Sequence, residues 1–401
     1  MRPSFILLAL ALLACAPAAS PNAAAPTAQP PPAQPGAAPA ATPQPAAPTA
    51  APAAVGTPAV STEVVARNLD TPWAIDFAPD GRMFVSERPG RIRVVRDGRL
   101  VEQPWMTLQV TEVGEGGLMG LALDPQFAQN RFVYASFTLR APTGQLQNRL
   151  VRLRDDPAAG PGGTGTLDRV LLDSIPGAQT HDGSRVRFGP DGKLYVTMGD
   201  AQNPDAAQRQ DGLNGKILRL NSDGSIPADN PFPNSPVYSY GHRNPQGLAW
   251  QPGTNRLYES EHGPSGSPCC LDELNLIEPG KNYGWPVATG DATREGMVSP
   301  IRHSGASVTW APAGMTFVSN GPWAGALLIT GLRGTALYRA TLDTGDPRRV
   351  TAFEPLFERQ FGRLRDVAEG PDGALYLLTS NQDGRGQPTP EDDRIIRVTV
   401  R

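Results

Sequence analysis

The chain has 401 residues, 36 Lys and Arg against 39 Asp and Glu, and a formal net charge of −3. That balance lacks the basic excess with which proteins hold nucleic acid, so no nucleic-acid partner is expected. Three cysteines in a chain of this length exclude a disulfide scaffold.

The chain opens with Arg2 and the apolar run Phe5 to Ala14, too short to span a bilayer and suited to a secretory signal over 1–14. The run ends in Leu12-Leu-Ala-Cys15, which resembles a lipoprotein processing box with Cys15 as the lipid-bearing residue; a plain signal with an incidental cysteine is the alternative. Residues 15–61 follow as a linker of Ala, Pro, Thr and Gln with no charged side chain. Such a segment buries no core and is expected to be disordered and extended, reaching up to ~140 Å at ~3.1 Å per residue. Anchor and tether together describe an envelope lipoprotein, secreted across the inner membrane and attached to a membrane by its lipid. Ala16 after Cys15, where an aspartate would signal inner-membrane retention, leans the expectation to the outer membrane.

Residues 62–401 form the folded part, and some 340 residues exceed one ordinary core unless the fold is a closed repeat. A repeat is present. The pattern apolar-x-Pro-Asp-Gly-x-apolar-aromatic occurs at Phe77-Ala-Pro-Asp-Gly-Arg-Met-Phe-Val, Phe188-Gly-Pro-Asp-Gly-Lys-Leu-Tyr-Val and Glu369-Gly-Pro-Asp-Gly-Ala-Leu-Tyr-Leu. Degenerate copies start at Leu123, Trp250 and Phe317, so six copies follow one another at about 45 to 67 residues. Each reads as two strands joined by a tight turn, and no segment has a helical period. Six copies predict an all-β, six-bladed propeller of four-stranded antiparallel blades. Pairing of Thr62–Ala66 with Ile395–Val400 would close the ring; an open solenoid is the alternative.

A propeller places its ligand site at one end of the central channel, on loops from several blades, so candidates should be scattered in sequence. Five places qualify: the glycine-rich loop with Glu115; Thr180-His181-Asp182; Gly241-His-Arg-Asn-Pro-Gln-Gly; Glu261-His-Gly-Pro264 with Asp272 and Glu273; and Arg333 with Arg363 and Arg365. His181 opens the only repeat copy that carries a histidine, where it serves either as a base or as a structural hydrogen-bonder. Arg243, Arg333, Arg363 and Arg365 either lie on solvated faces or converge on a polycarboxylate, for which guanidinium forks are shaped. Glu273 near the carbonyl-rich Gly263-Pro264 suits Ca²⁺ or an acidic turn equally. Cys269 and Cys270 have no zinc spacing.

From about Leu69 to Val400 the chain resembles the soluble quinoprotein glucose/sorbosone dehydrogenases, which are six-bladed propellers using pyrroloquinoline quinone (PQQ). The resemblance rests on Asn68-Leu-Asp-Thr-Pro-Trp-Ala, Gly117-Leu-Met-Gly-Leu-Ala-Leu-Asp-Pro-Gln-Phe, Gly189-Pro-Asp-Gly-Lys-Leu-Tyr, Gly215-Lys-Ile-Leu-Arg-Leu-Asn, Gly241-His-Arg-Asn-Pro-Gln-Gly-Leu-Ala, Asp272-Glu-Leu-Asn-Leu-Ile and Asn282-Tyr-Gly-Trp-Pro, in one order. It implies oxidation of an aldose at C1 to the lactone, with His181 as the base and Arg243 stabilising charge on the quinone. It further implies that Arg243, Asn244, Thr309, Arg333, Arg363 and Arg365 hold PQQ, and that Glu115, Thr180 and Asp200 meet the sugar. Gly263, Pro264, Glu273 and Tyr283 are implied as Ca²⁺ ligands. Other quinoprotein propellers carry a vicinal disulfide against the quinone, so Cys269 and Cys270 are candidates for one.

The chain departs from the glucose-oxidising members at Glu115, where they have glutamine, and at Thr180, where they have aspartate; the loop before Thr309 is shorter as well. These changes imply a wider, less selective aldose pocket. Two other readings compete: a non-catalytic propeller that binds a glycan or protein, and a Ca²⁺-dependent lactone hydrolase, which would want more carboxylates around the channel. The electron acceptor is open, and monomer and homodimer are both compatible with the sequence.

Overall fold

The computed structural model describes residues 58–265 and 269–401. The signal segment 1–14, Cys15 and the linker up to residue 57 lie outside the described residues.

Three of the predicted hairpin turns show why the repeat has its sequence. In each, Gly81, Gly192 or Gly373 stands at φ between +71° and +87° with no atom near a would-be Cβ, so the requirement is conformational rather than steric. In each, the aspartate before the glycine accepts the backbone N–H two residues on: Asp80 from Arg82, Asp191 from Lys193 and Asp372 from Ala374. The aromatic of the following strand then donates to the other oxygen where it has a hydroxyl, Tyr195 to Asp191 at 3.0 Å and Tyr376 to Asp372 at 3.1 Å. The aspartate of the motif is therefore a turn residue that ties the turn to its strand.

All six copies join the first to the second strand of a blade. The first strands are Pro72–Phe77, Leu118–Leu123, Val186–Phe188, Pro245–Trp250, Pro312–Phe317 and Leu364–Glu369. Each begins a four-stranded antiparallel sheet, with Met106–Thr107 as an extra short strand in the first blade. The sixth blade is composite: Val60–Ala66 pairs antiparallel with Ile395–Val400, Val60 opposite Val400 and Ala66 opposite Ile395. First and last strands thus close the ring, and the solenoid alternative falls.

The core lies between blades. Trp73, Phe84, Trp105, Leu118 and Phe127 fill the contact of the first two blades, and comparable apolar clusters fill the other five. Because both faces of a blade are covered, strands such as Leu194–Met198 and Leu327–Gly331 are buried at every position. This topology fixes where a site can be. The hairpin turns gather at one end of the ring, whereas loops entering first strands and leaving second strands gather at the other. His181, Arg243 and Arg363 precede first strands; Asp200, Gly263 and Arg333 follow second strands.

Candidate active site

At that second end lies a cavity of about 670 Å³, lined by residues from all six blades. Of the residues expected there, Glu115, Thr180, His181, Arg243, Gly263, Pro264, Thr309, Arg333, Arg363 and Arg365 line it, as do Cys269 and Cys270.

His181 is held by its backbone. It sits at φ +66°, a left-handed conformation that costs a non-glycine residue about 1 kcal/mol or more. Its carbonyl accepts from Ala201 N–H at 3.0 Å, and a Cβ on Gly199 would come within 1.9 Å of that oxygen, so only glycine permits the approach. The imidazole Nδ1 lies 2.8 Å from Asp200 Oδ1. A carboxylate only accepts, so Nδ1 carries the hydrogen and Nε2 keeps its lone pair on a ring that lines the cavity. Asp200, expected among the substrate residues, is 1% exposed and does not line the cavity. It stands behind His181 and orients it.

Glu115 joins this group from the second blade's entry loop. Its Oε2 accepts from the His181 N–H at 3.3 Å and its Oε1 from Arg385 Nη1 at 2.6 Å. Burial pushes the Glu115 carboxyl up, but neighbouring His262, Arg385 and the His181 N–H outweigh it and hold it down to about 2. Thr180 Oγ1 accepts from Gln202 Nε2 at 3.1 Å on the rim.

The cationic wall has two kinds of arginine. Arg363 is already engaged, its Nε and Nη2 donating to Asp383 Oδ2 at 2.9 and 2.7 Å. Arg365 donates to Gln246 Oε1 at 2.8 Å, and burial pushes its guanidinium down to about 9. Burial also lowers Arg243. Among the described residues the Nε atoms of Arg243 and Arg365 are buried without a partner, and Arg333 stands exposed at the rim. Unpaired buried donors are costly, and both side chains line the cavity. Asn244, expected to touch the cofactor, does not line the cavity: its Oδ1 accepts from Gly183 at 3.1 Å and its Nδ2 faces Glu115 Oε2 at 3.5 Å. It braces the His181 loop from below.

Gly263 and Pro264 separate this cavity from a small hollow that Glu261, Glu273, Arg243 and Trp285 also line. Around Glu273 are Glu259, Glu261, Asn275 and His242, all buried. Burial pushes Glu261 up to about 7; burial and then the charge of Glu261 push Glu273 to about 8 and Glu259 well above the carboxylate range. Among the described residues Glu259 Oε1, Asn275 Oδ1 and His242 Nδ1 have no partner, and ligand atoms of His242, Glu259 and Glu261 lie within 4.8 Å of one another. Once ionised, this oxygen-rich cluster is the donor set a hard divalent cation takes, and binding would release the protons that burial favours. The Tyr283 hydroxyl is not part of it. That hydroxyl donates to Leu276 O at 2.7 Å and accepts from Glu278 N at 2.8 Å, while the ring stacks on His242, so only the main-chain carbonyl of Tyr283 is left for a cation.

Cys269 and Cys270 form a disulfide between adjacent residues in the cavity wall. Trp73, Gln202 and Arg385, which no candidate stretch contained, also line the cavity, as do Gln246 and His262, which lay inside candidate stretches without an assigned role. Trp73 and Gln246 sit inside the motifs quoted above; Arg385 lies in a loop with no pattern to mark it.

A histidine held by a buried carboxylate at an arginine-lined cavity on a six-bladed propeller is an arrangement fitted to an anionic cofactor and a proton-transfer step. Residues 69–396 match the family described as Glucose / Sorbosone dehydrogenase, and the chain belongs to that family of oxidoreductases. It is 34% identical to the aldose sugar dehydrogenase YliI of Escherichia coli, over 81% of this chain and 91% of that one. It is 32% identical to quinoprotein glucose dehydrogenase B of Acinetobacter calcoaceticus, over 71% and 66% of the two chains. The PQQ-bound aldose sugar dehydrogenase of Streptomyces coelicolor superposes with a TM-score of 0.76 at 38% identity, covering 86% of this chain and 99% of that structure.

Proposed function

We propose that the protein is a PQQ- and Ca²⁺-dependent aldose dehydrogenase that oxidises the sugar C1 hydroxyl to the lactone and passes the electrons to an acceptor in the cell envelope. The observation that carries this reading is the His181–Asp200 pair, which leaves Nε2 as the acceptor at a cavity lined by five arginines.

In this reading the sugar lies with its C1 hydroxyl at His181 Nε2, which receives the hydroxyl proton. Asp200 stabilises the resulting imidazolium. PQQ, when bound, supplies a quinone that accepts the C1 hydride with its electron pair. Arg243 and Arg365, both in the cavity wall and each with one buried Nε that no described residue accepts from, hold the anionic cofactor, joined by Arg333 and Thr309. Arg363 serves the same wall with its charge already shared with Asp383. Arg243 also offsets negative charge that develops on the quinone oxygens. Glu115 and Thr180 stand on the sugar side, and the wider rim suits a range of aldoses. Ca²⁺ would be held by the Gly263 and Pro264 carbonyls and by the buried carboxylates of Glu261 and Glu273. Supporting the envelope location is the sequence of the leader and tether, with Cys15 as the lipid site.

The test is dye-coupled turnover of a panel of aldoses by the protein with PQQ and Ca²⁺, beside H181A. The expected result is turnover that needs both additions and falls about 10²–10⁴-fold in H181A. Wild-type turnover by H181A would remove the base assignment, and failure to bind PQQ would remove the cofactor assignment.

A further inference from the structure

Trp285 follows the fourth blade's third strand in the motif Asn282-Tyr-Gly-Trp-Pro, and nothing above gives it a task. Its indole touches both halves of the site. Nε1 donates to Asp200 Oδ2 at 2.8 Å, and the Arg243 guanidinium lies over its ring, 5.3 Å from Cζ to centroid. The residue is itself pinned: its N–H donates to Gly241 O at 3.0 Å and its carbonyl accepts from Gln208 Nε2 at 2.6 Å.

We propose that Trp285 is a positioning residue for the reaction. Its N–H fixes the Asp200 carboxylate, and through it the His181 ring, while its π-face sets the place of Arg243. The inference rests on His181 being the base.

The bonding of Asp200 explains why a second anchor matters. Oδ1 accepts from His181 Nδ1 and from the Gln202 N–H, each at 2.8 Å. Held at that oxygen alone, the carboxylate turns about its Cβ–Cγ bond and the imidazole follows. The indole bond on Oδ2 stops that rotation. An indole N–H donates only and does not titrate, so the restraint persists at every working pH. The position of the Arg243 guanidinium over the same ring makes one rigid plate the common reference for base and cofactor-side cation. The charged groups facing this assembly are Glu115 from the second blade, Asp182 beside His181, and Glu261 and Asp272 toward Arg243.

W285F tests the proposal, because it keeps a ring against Arg243 and removes only the donor. In the metal- and PQQ-free protein, ¹⁵N spectra of the His181 ring, assigned by comparison with H181Q, are expected to show one Nδ1–H tautomer in wild type and a tautomer mixture in W285F. In the loaded enzyme W285F is expected to lower kcat about ten- to a hundredfold while PQQ affinity and sugar KM stay within about twofold. D200N cuts the same chain from the other side. The double variant W285F/D200N should be no slower than D200N alone.

An unchanged tautomer and unchanged kcat in W285F would overturn the proposal. So would a loss that resides in PQQ affinity, which would make the indole a wall of the cofactor pocket, or additive losses in the double variant. Full activity in H181Q would instead overturn the base assignment while leaving the tautomer result to stand by itself.

Discussion

Arg385 and Glu115 are 270 positions apart in the chain, yet Nη1 of one meets Oε1 of the other at 2.6 Å across the mouth of the cavity. Arg385 comes from the loop after the sixth blade's second strand and Glu115 from the loop entering the second blade, so the pair bridges the rim. The Arg385 side chain is half exposed. An ion pair in that setting contributes about 0.2–1 kcal/mol to stability, and its consequence should be on access to the site. R385A is expected to raise KM for small aldoses several-fold, with a smaller change in kcat and little change in melting temperature. Steady-state kinetics on a monosaccharide and a disaccharide check this, the disaccharide losing less because the mouth is wider. Equal kinetics for both sugars before and after the change would reduce the pair to surface decoration.

Asp182 gives a pH dependence with a defined sign. It is nearly fully buried beside His181, with Oδ1 accepting from Asn148 Nδ2 and the Ala178 N–H and Oδ2 unpaired. Burial, the largest cause, raises its carboxyl to about 6 from 3.8. The folded protein therefore keeps a proton that the unfolded chain gives up near pH 4. Stability from this group is complete below about pH 4 and is lost as pH rises through about 6, by about 3 kcal/mol in all. In D182N the melting temperature should match wild type near pH 4 and exceed it at pH 7.5. Thermal melts across that range decide it; parallel curves would show that Asp182 is ionised throughout.

The two levels of structure were unequally legible in the sequence. The turn at Asp191 is local: the glycine needs positive φ, the aspartate caps its own turn, and Tyr195 is four residues away, so every cause lies within one decapeptide. Three such turns, three degenerate copies and two terminal strands were enough for blade number and closure. Arg243 was legible in a family motif, and His181 and Arg365 through the candidate stretches and what the resemblance implies for them; the ring does bring all three to one cavity. What the motifs did not carry is which way each side chain turns. Asp200 and Asn244 are adjacent to site residues in sequence but point beneath the cavity, because Trp285 and Gly183 offer partners there. Asp383, which takes Arg363, and Arg385, which takes Glu115, lie in an irregular loop whose partners are set by blade packing and not by any local period.

The buried cluster of Glu259, Glu261 and Glu273 predicts a response to cation. Three carboxylates share one small volume, and the unpaired Glu259 Oε1 and Asn275 Oδ1 face it without a compensating donor. Ca²⁺ binding only to the folded state stabilises by about 2.7 kcal/mol when free ion is a hundred times the dissociation constant. Melting temperature should therefore rise by several degrees with CaCl₂ over EDTA. The double variant E261Q/E273Q should lose that response and melt higher than wild type in EDTA, since two amides relieve the repulsion. A wild-type melt indifferent to Ca²⁺ would place the ion elsewhere.

Gly263 and Cys270 supply the last prediction. A Cβ on Gly263 would come within 1.8 Å of Cys270 O and 2.4 Å of Leu271 C and O, all backbone atoms that cannot swing aside. The facing segment is unusual, with Cys270 at φ +80° and Leu271 at φ +48°, and it is tied back by the Cys270 N–H to Pro264 O bond at 2.9 Å. The disulfide from Cys269 to Cys270 closes the same short stretch. G263A must push this wall away from the Gly263 and Pro264 carbonyls and is expected to weaken PQQ binding tenfold or more, a change of about 1.4 kcal/mol or larger. Reduction of the disulfide acts on the same wall without adding an atom. It should weaken PQQ binding in the same direction but less, with intact mass showing the gain of two hydrogens. Absorbance titration of the oxidised, reduced and G263A proteins with PQQ ranks the three. If G263A binds as wild type does, the carbonyl pair is not what the close approach protects; if reduction alone abolishes binding, the disulfide itself is the cofactor's support.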